Sequence, residues 1–219
     1  MTNNNSMLYK SASQLEQIMT PNLDPSCVDL QDQTMTQDLA EIVKKHALGA
    51  AASGVGVAWL PGVGSLAAMA SMVGFIWSMY FRINKRLGLK LSKVVLKTLA
   101  SAVLSNLAQG ALSVVGSIVV SSLLSMTGFG NAISSLIMAA VDYSVVMVGG
   151  ILYLKLINGI MGAGKNPDEM NSTEIEIAMN DVIRNENINA LLKKSKEEYT
   201  QARKAGTVTG NETIELEAM

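Results

Sequence analysis

Two long uncharged stretches, residues 47–81 and 98–141, dominate the pattern of this chain, and charged sequence surrounds and separates them. Ahead of the first, Leu39, Ile42, Val43 and Ala47 recur at helical spacing opposite Asp38, Glu41, Lys44 and Lys45, which predicts an amphipathic helix leading into the apolar region. Thr34-x-x-Gln37 has capping-box spacing at its start. Inside the first stretch stands Pro61-Gly62-Val63-Gly64. Proline lacks the amide a helix interior needs and the glycines allow a tight reversal, so a helix to about residue 60, a turn and a second helix over 65–81 are expected. The second stretch breaks at Thr127-Gly128-Phe129-Gly130-Asn131, dividing it into helices over about 92–126 and 132–157. Four apolar helices in two hairpins, about 47–81 and 92–157, result.

The flanks read differently. Residues 1–35 are expected to be a mobile N-terminal arm, with Ser13 and Glu16 spaced as a capping box for a short helix ending near Met19, and Pro21 and Pro25 in the loop beyond. A helical membrane domain covers 36–162. A polar helical segment follows over 163–206: Thr173-x-x-Glu176 has capping-box spacing, Ile175, Met179 and Val182 share a face, and a second helix over about 188–204 ends at Gly206, a good C-cap residue. Residues 207–219 read as a flexible tail, with a marginal hairpin at Gly210-Asn211.

Charge sharpens this picture. Only 16% of residues are charged, against about 25% in an average soluble domain. Serine and glycine do not supply the polar outer face a water-soluble bundle needs. The fold class expected is therefore all-α: a membrane-embedded bundle of two helical hairpins with amphipathic N- and C-terminal extensions. Lys44 and Lys45, the cluster between the stretches, and Lys155 with Lys165 stand at the open ends of the hairpins, while the turns at 61–64 and 127–131 carry no charge. An even number of crossings then places both termini in the cytoplasm of a multi-pass protein. Trp77, Tyr80 and Phe81 precede Arg82, where an interfacial aromatic belt belongs. The first arm is shorter than the roughly 20 residues a full crossing needs, so a re-entrant first hairpin stays open. The chain's first residues lack the basic and apolar regions of a secretory signal.

Candidate chemistry is sparse. A net charge of −1 gives no electrostatic basis for binding nucleic acid. One cysteine, Cys27, and one histidine, His46, leave no intrachain disulfide, no Cys/His zinc cluster and no nucleophile-base arrangement, so no enzyme activity, cofactor or metal is expected. Gly159-Ile-Met-Gly-Ala-Gly164-Lys165-Asn166 matches the phosphate-loop pattern except at its last position, where Asn166 replaces the magnesium-binding hydroxyl. It also follows an apolar helix where a strand is required. Asn-x-Ser/Thr sequons at Asn4, Asn171 and Asn211 lie in segments placed in the cytoplasm and read as chance.

Three features are candidates for function. Small residues recur every four positions at Ala50, Gly54 and Ala58, at Ala70, Gly74 and Ser78, and at Ser113, Ser117, Ser121 and Ser125. Such stripes let helices approach closely in a membrane, within one subunit or between subunits. Arg82, Arg86, Lys90, Lys93 and Lys97 would share one face if the linker is helical, and would meet anionic lipid headgroups at about 1 kcal/mol each, or an acidic partner. They could equally serve only to set topology, and Gly88 interrupts the helix. Asp142 is the lone charge between Lys97 and Lys155. Helical rise puts it at about the depth of Gln109, and less closely of Asn106, so the three could form an intramembrane polar cluster that is structural glue or lines a water path.

His46-Ala-Leu-Gly-Ala-Ala-Ala, then Leu60-Pro-Gly, an apolar helix to Tyr80, a basic stretch with Leu87-Gly88, and a later Gly128-Phe-Gly-Asn-Ala-Ile-Ser-Ser resemble a bacterial membrane domain, the uncharacterised family 697 to which the YcjF-like proteins are similar. The resemblance covers roughly residues 40–160 and implies a helical membrane module beside an Era-like GTPase encoded elsewhere, with no catalytic residues. The function expected is a non-enzymatic, oligomerising membrane scaffold or partner subunit, its partners a lipid bilayer with anionic headgroups, further copies of itself, and a GTPase or other cytoplasmic protein. A pore-forming effector or channel and a soluble helical interaction protein are the alternatives.

Overall fold

A computed structural model describes residues 4–20, 33–54, 66–123 and 130–217, with side chains considered over 7–20, 35–54, 66–111 and 136–217. Among the described residues all regular structure is helical: α1 (Asn4–Met19), α2 (Gln33–Ala52), α3 (Leu66–Leu87), α4 (Lys93–Leu123), α5 (Gly130–Gly162), α6 (Ser172–Asn185) and α7 (Ile188–Lys204), with one 3-10 turn at Pro167–Glu169. The all-α class read from the sequence is observed.

α5 is the axis. Val141, Val145, Val146, Val148, Ile151, Leu152 and Leu154 make its middle apolar on nearly every side, Asp142 and Ser144 being the polar exceptions, and all are buried. A helix of that kind has to be enclosed, and α1, α2, α3, α4, α6 and α7 all contact it, α2 and α7 most extensively. α7 turns Leu191, Leu192, Ser195 and Tyr199 inward and leaves Lys193, Glu197 and Gln201 exposed. α6 does the same with Ile175 and Met179. Its capping box is formed by Asn171 and Glu174, two residues earlier than the expected Thr173 and Glu176: the Asn171 side chain accepts from the Glu174 N–H at 3.0 Å and Glu174 Oε2 accepts from the Asn171 N–H at 2.9 Å. The 3-10 turn delivers Asn171 in extended backbone, the conformation an N-cap requires.

Both ends of the chain depart from expectation. The N-terminal arm is a docked helix. Leu8, Ser11, Ala12 and Leu15 form a stripe at helical spacing and are buried, and Asn158 Nδ2 on α5 donates to the Ser11 carbonyl at 2.8 Å. Each fully buried leucine contributes roughly 2 kcal/mol, enough to hold a short helix in place. The tail is also placed. Glu212 accepts the backbone N–H groups of Thr209 (2.6 Å) and Gly210 (2.8 Å), which folds a turn instead of a hairpin of strands. Beyond it Ile214 packs against the core.

Among the described residues, two stretches are long and apolar enough to cross a membrane, Leu66–Leu87 and Leu136–Gly162. Length and composition give that and nothing finer. Of the most apolar 18-residue window in the second stretch, 78% is buried by the chain's own helices. The turn expected at 61–64 and residues 127–129 of the one expected at 127–131 lie outside the described residues, while Gly130 and Asn131 already belong to α5.

Candidate functional site: a strapped groove and an apolar bundle end

The five cations do not share a helical face. α3 ends at Leu87, Gly88 reverses the chain at φ +72°, and α4 begins only at Lys93. Arg82 and Arg86 bind other parts of the same chain. Arg82 Nη2 donates to the Glu215 carbonyl at 2.6 Å and its Nε lies 3.4 Å from the Glu217 carboxylate. Arg86 Nε donates to Asp38 at 2.7 Å. The Lys90 backbone N–H donates to Asp168 at 2.7 Å, and Lys93 Nζ lies 5.7 Å above the Trp77 ring and 6.0 Å above Phe81, within cation–π range. Lys97 is exposed on α4. Trp77 and Tyr80 are buried, and Tyr80 stacks on Tyr153 with centroids 4.0 Å apart. They belong to the core instead of an aromatic belt.

The expected polar cluster is not assembled. Asp142 is buried and lines a cavity of about 750 Å³ with Ala52, Met138, Tyr199, Arg203 and Lys204. Asn106 and Gln109 are exposed and line a different cavity of about 600 Å³ beside Asn187 and Asn189. Asn106 Nδ2 donates within its own helix, to the Ala102 carbonyl at 2.8 Å. The helical rise fixed the height of these residues but not their direction. α4 turns Leu107, Ala108 and Ala111 to the core, and that rotates Asn106 and Gln109 outward.

The small-residue stripes are broken in the same way. Ala50 is buried, but Gly54 lies past the end of α2 at φ +71°, so it no longer shares a helix face with Ala50. On α3, Gly74 and Ser78 are buried while Ala70 is exposed. Ala58, Ser125 and the side chains of Ser113, Ser117 and Ser121 lie outside the described residues. The close approaches occur at other glycines. A Cβ at Gly150 would stand 2.5 Å from Val43 Cγ1, one at Gly110 would stand 2.8 Å from Leu192 Cδ1, and one at Gly49 would overlap the Ile214 side chain.

Gly49 is the floor of a groove between α2 and α3, which the C-terminal segment crosses as a strap. Ile214 fills the space above Gly49 beside Phe75. Farther along, the Glu217 N–H donates to Ser78 Oγ at 3.1 Å, and Arg82 holds Glu215 and Glu217 as above. Beneath the strap, His46 is buried, with Nδ1 2.7 Å from the Ile42 carbonyl and Nε2 3.2 Å from Ser78 Oγ. A carbonyl only accepts, so Nδ1 carries the proton. Nε2 then accepts from the Ser78 hydroxyl, whose oxygen in turn accepts from Glu217. Burial depresses the His46 pKa from 6.5 to about 4. The Ile42 carbonyl pulls it back up in part, and Arg82 pushes it down. Sequence reasoning missed this network because its members stand far apart in the chain. The glycine in the amphipathic helix α2 and the Ile214-Glu-Leu-Glu217 alternation were the available signals.

One end of the bundle exposes several large apolar side chains. Gly49 and Phe75 face each other, and past that level α3 exposes Leu66, at 86%, and Met69. Met138, also exposed, lines the same cavity as Ala52 and Gly54, and so belongs to that end. The near phosphate-loop is not a loop: residues 159–162 are the last turn of α5, and Asn166 Oδ1 accepts from the Asp168 N–H at 3.1 Å to cap the 3-10 turn. Among the described residues no group of three His, Cys, Asp or Glu could hold a metal ion. No family model matches this chain, and no curated protein or solved structure matches it either.

Proposed function

We propose that this chain is a non-enzymatic, membrane-associated helical scaffold that enters a bilayer through one end of its bundle and keeps its charged helices in water. The observation that carries this reading is the place where charge stops. Arg82, Glu215 and Glu217 on the strap, and Arg203 beside the Asp142 cavity, mark a level held in water. Past the strap stand Leu66 and Met69, and Met138 is exposed beside the Asp142 cavity; these are three of the seven large apolar side chains exposed among the described residues. The uncharged sequences 53–65 and 112–135 lead on from the same elements.

Entry into one leaflet is supported by how much described helix stands past the strap. From Phe75 to Leu66, α3 rises about 13 Å, and from Gly110 to Leu123, α4 rises about 20 Å, against a hydrocarbon core of about 30 Å. Lys204, exposed at the rim of this end, is placed to meet anionic headgroups more directly than the five cations between the stretches, of which Arg82 and Arg86 are in ion pairs and Lys93 lies over aromatic rings. In this reading both termini stay on the cytoplasmic side, further copies associate through the inserted segments, and a GTPase or other cytoplasmic protein is the partner class that the resemblance to family 697 suggests.

Flotation with liposomes of neutral and of anionic composition, followed by protease digestion, tests the reading. Bound protein should rise with the vesicles, more strongly with anionic lipid, and stay cleavable in both tails. Protein left at the bottom of the gradient with both compositions would refute it.

A further inference from the structure

The strap is seated as a ligand is seated, and it has features that a covering segment alone does not need. Gly49 is the sole residue type that leaves room for Ile214, since a Cβ there would overlap the isoleucine. Ser78 Oγ accepts the Glu217 backbone N–H at 3.1 Å, and Arg82 engages a carbonyl, at 2.6 Å, and a carboxylate, at 3.4 Å, of the same short segment. The groove therefore recognises an apolar side chain, a backbone amide and an acidic side chain in a fixed order. Ser78 is itself held in place by His46, so the acceptor is oriented before the segment arrives.

We propose that the α2–α3 groove is a peptide-recognition site, that residues 214–217 are its resident ligand in cis, and that the same segment of a second copy occupies it in trans. Exchange of an identical segment rebuilds every contact, which makes it a low-cost route to association. Charge complementarity also fits: the groove offers Arg82, and the incoming segment brings the Glu217 carboxylate. The cis segment is tethered at high effective concentration, so the trans site opens when the resident segment leaves. This surface lies on the charged side of the bundle and does not depend on the membrane reading.

The test uses full-length chains and a fluorescently labelled peptide of residues 207–219. Ile214→Asp should vacate the groove without touching a helix, and circular dichroism should match the parent chain. The peptide should then bind saturably to Ile214→Asp, at least about tenfold more tightly than to the parent chain, the equivalent of about 1.4 kcal/mol. Adding Gly49→Leu should abolish binding. Adding Arg82→Glu should weaken binding to the Glu217 peptide and favour a peptide carrying Glu217→Lys. Mixing the Gly49→Leu chain, which has a good tail and a blocked groove, with the Ile214→Asp chain should give a complex that neither forms alone. If Ile214→Asp does not fold, hydrogen exchange on the parent chain decides, because a seated Glu217 amide exchanges far more slowly than the same amide in the free peptide. Equal peptide binding to Ile214→Asp with and without Gly49→Leu, or a Glu217 amide exchanging at the free-peptide rate, would overturn the proposal.

Discussion

His46 Nε2 lies 3.2 Å from Ser78 Oγ, in a buried space between α2 and α3, and accepts that hydroxyl's proton because its own proton is committed to Ile42. The pair links an amphipathic helix to an apolar one and orients the acceptor of the strap.

The folded chain keeps His46 neutral down to about pH 4, while the unfolded chain takes up a proton near pH 6.5. Below pH 6.5 the unfolded state therefore binds more protons and stability falls, until the folded pKa near 4 is passed. Roughly 3 kcal/mol is lost over that window from this group. Urea unfolding at pH 7.5 and pH 4.5 should give a lower midpoint at acid pH, and His46→Leu should remove much of the difference.

Two adjacent glycines on α5 should respond in opposite directions. A Cβ at Gly150 would stand 2.5 Å from Val43 Cγ1 and 3.1 Å from Met79 Sδ, whereas at Gly149 the nearest atom is 3.7 Å away. Alanine gains about 1 kcal/mol over glycine in a helix interior, and overpacking costs about 1–3 kcal/mol. Gly149→Ala should raise the thermal midpoint and Gly150→Ala should lower it. Calorimetry of the two variants beside the parent is sufficient. A gain at Gly150 would mean that α2 and α5 are not in this contact.

Tyr153 donates its hydroxyl to Asn84 Oδ1 at 2.6 Å inside the core, where it also stacks on Tyr80. Tyr153→Phe keeps the ring and strands the Asn84 acceptor. The expected cost is about 1–3 kcal/mol in chemical unfolding. The double change with Asn84→Leu should recover part of it, and full additivity of the two would argue that the bond is not made.

Several elements were legible in the sequence for definite reasons. α7 carries its own stop signal, and its end at Lys204 with Gly206 at φ +71° follows from that residue. α5 was legible as a helix with almost no polar side, but not what covers it: lipid and a sheath of amphipathic helices satisfy the same pattern. The covering residues were present in the sequence. Leu8, Ser11, Ala12 and Leu15 have core spacing, yet a short stripe near a terminus reads equally well as a mobile arm. Asp142, Asn106 and Gln109 illustrate a different limit, since depth along a helix is a one-dimensional quantity and the facing direction depends on which neighbours the helix finds. Gly49 reads as one of many small residues until the C-terminal segment is placed across it.

Whether one end of the bundle enters the bilayer is decided by site-resolved fluorescence. With Cys27 replaced by serine, single cysteines at Leu66 and Met138, which mark the apolar end, and at Ile177 and Lys165, which are exposed elsewhere, each carry an environment-sensitive dye. On adding anionic liposomes, emission from positions 66 and 138 should shift to the blue, and lipid-borne quenchers should reduce it, while positions 177 and 165 should stay unchanged. Unshifted emission at 66 and 138, or an equal shift at all four positions, would contradict the account.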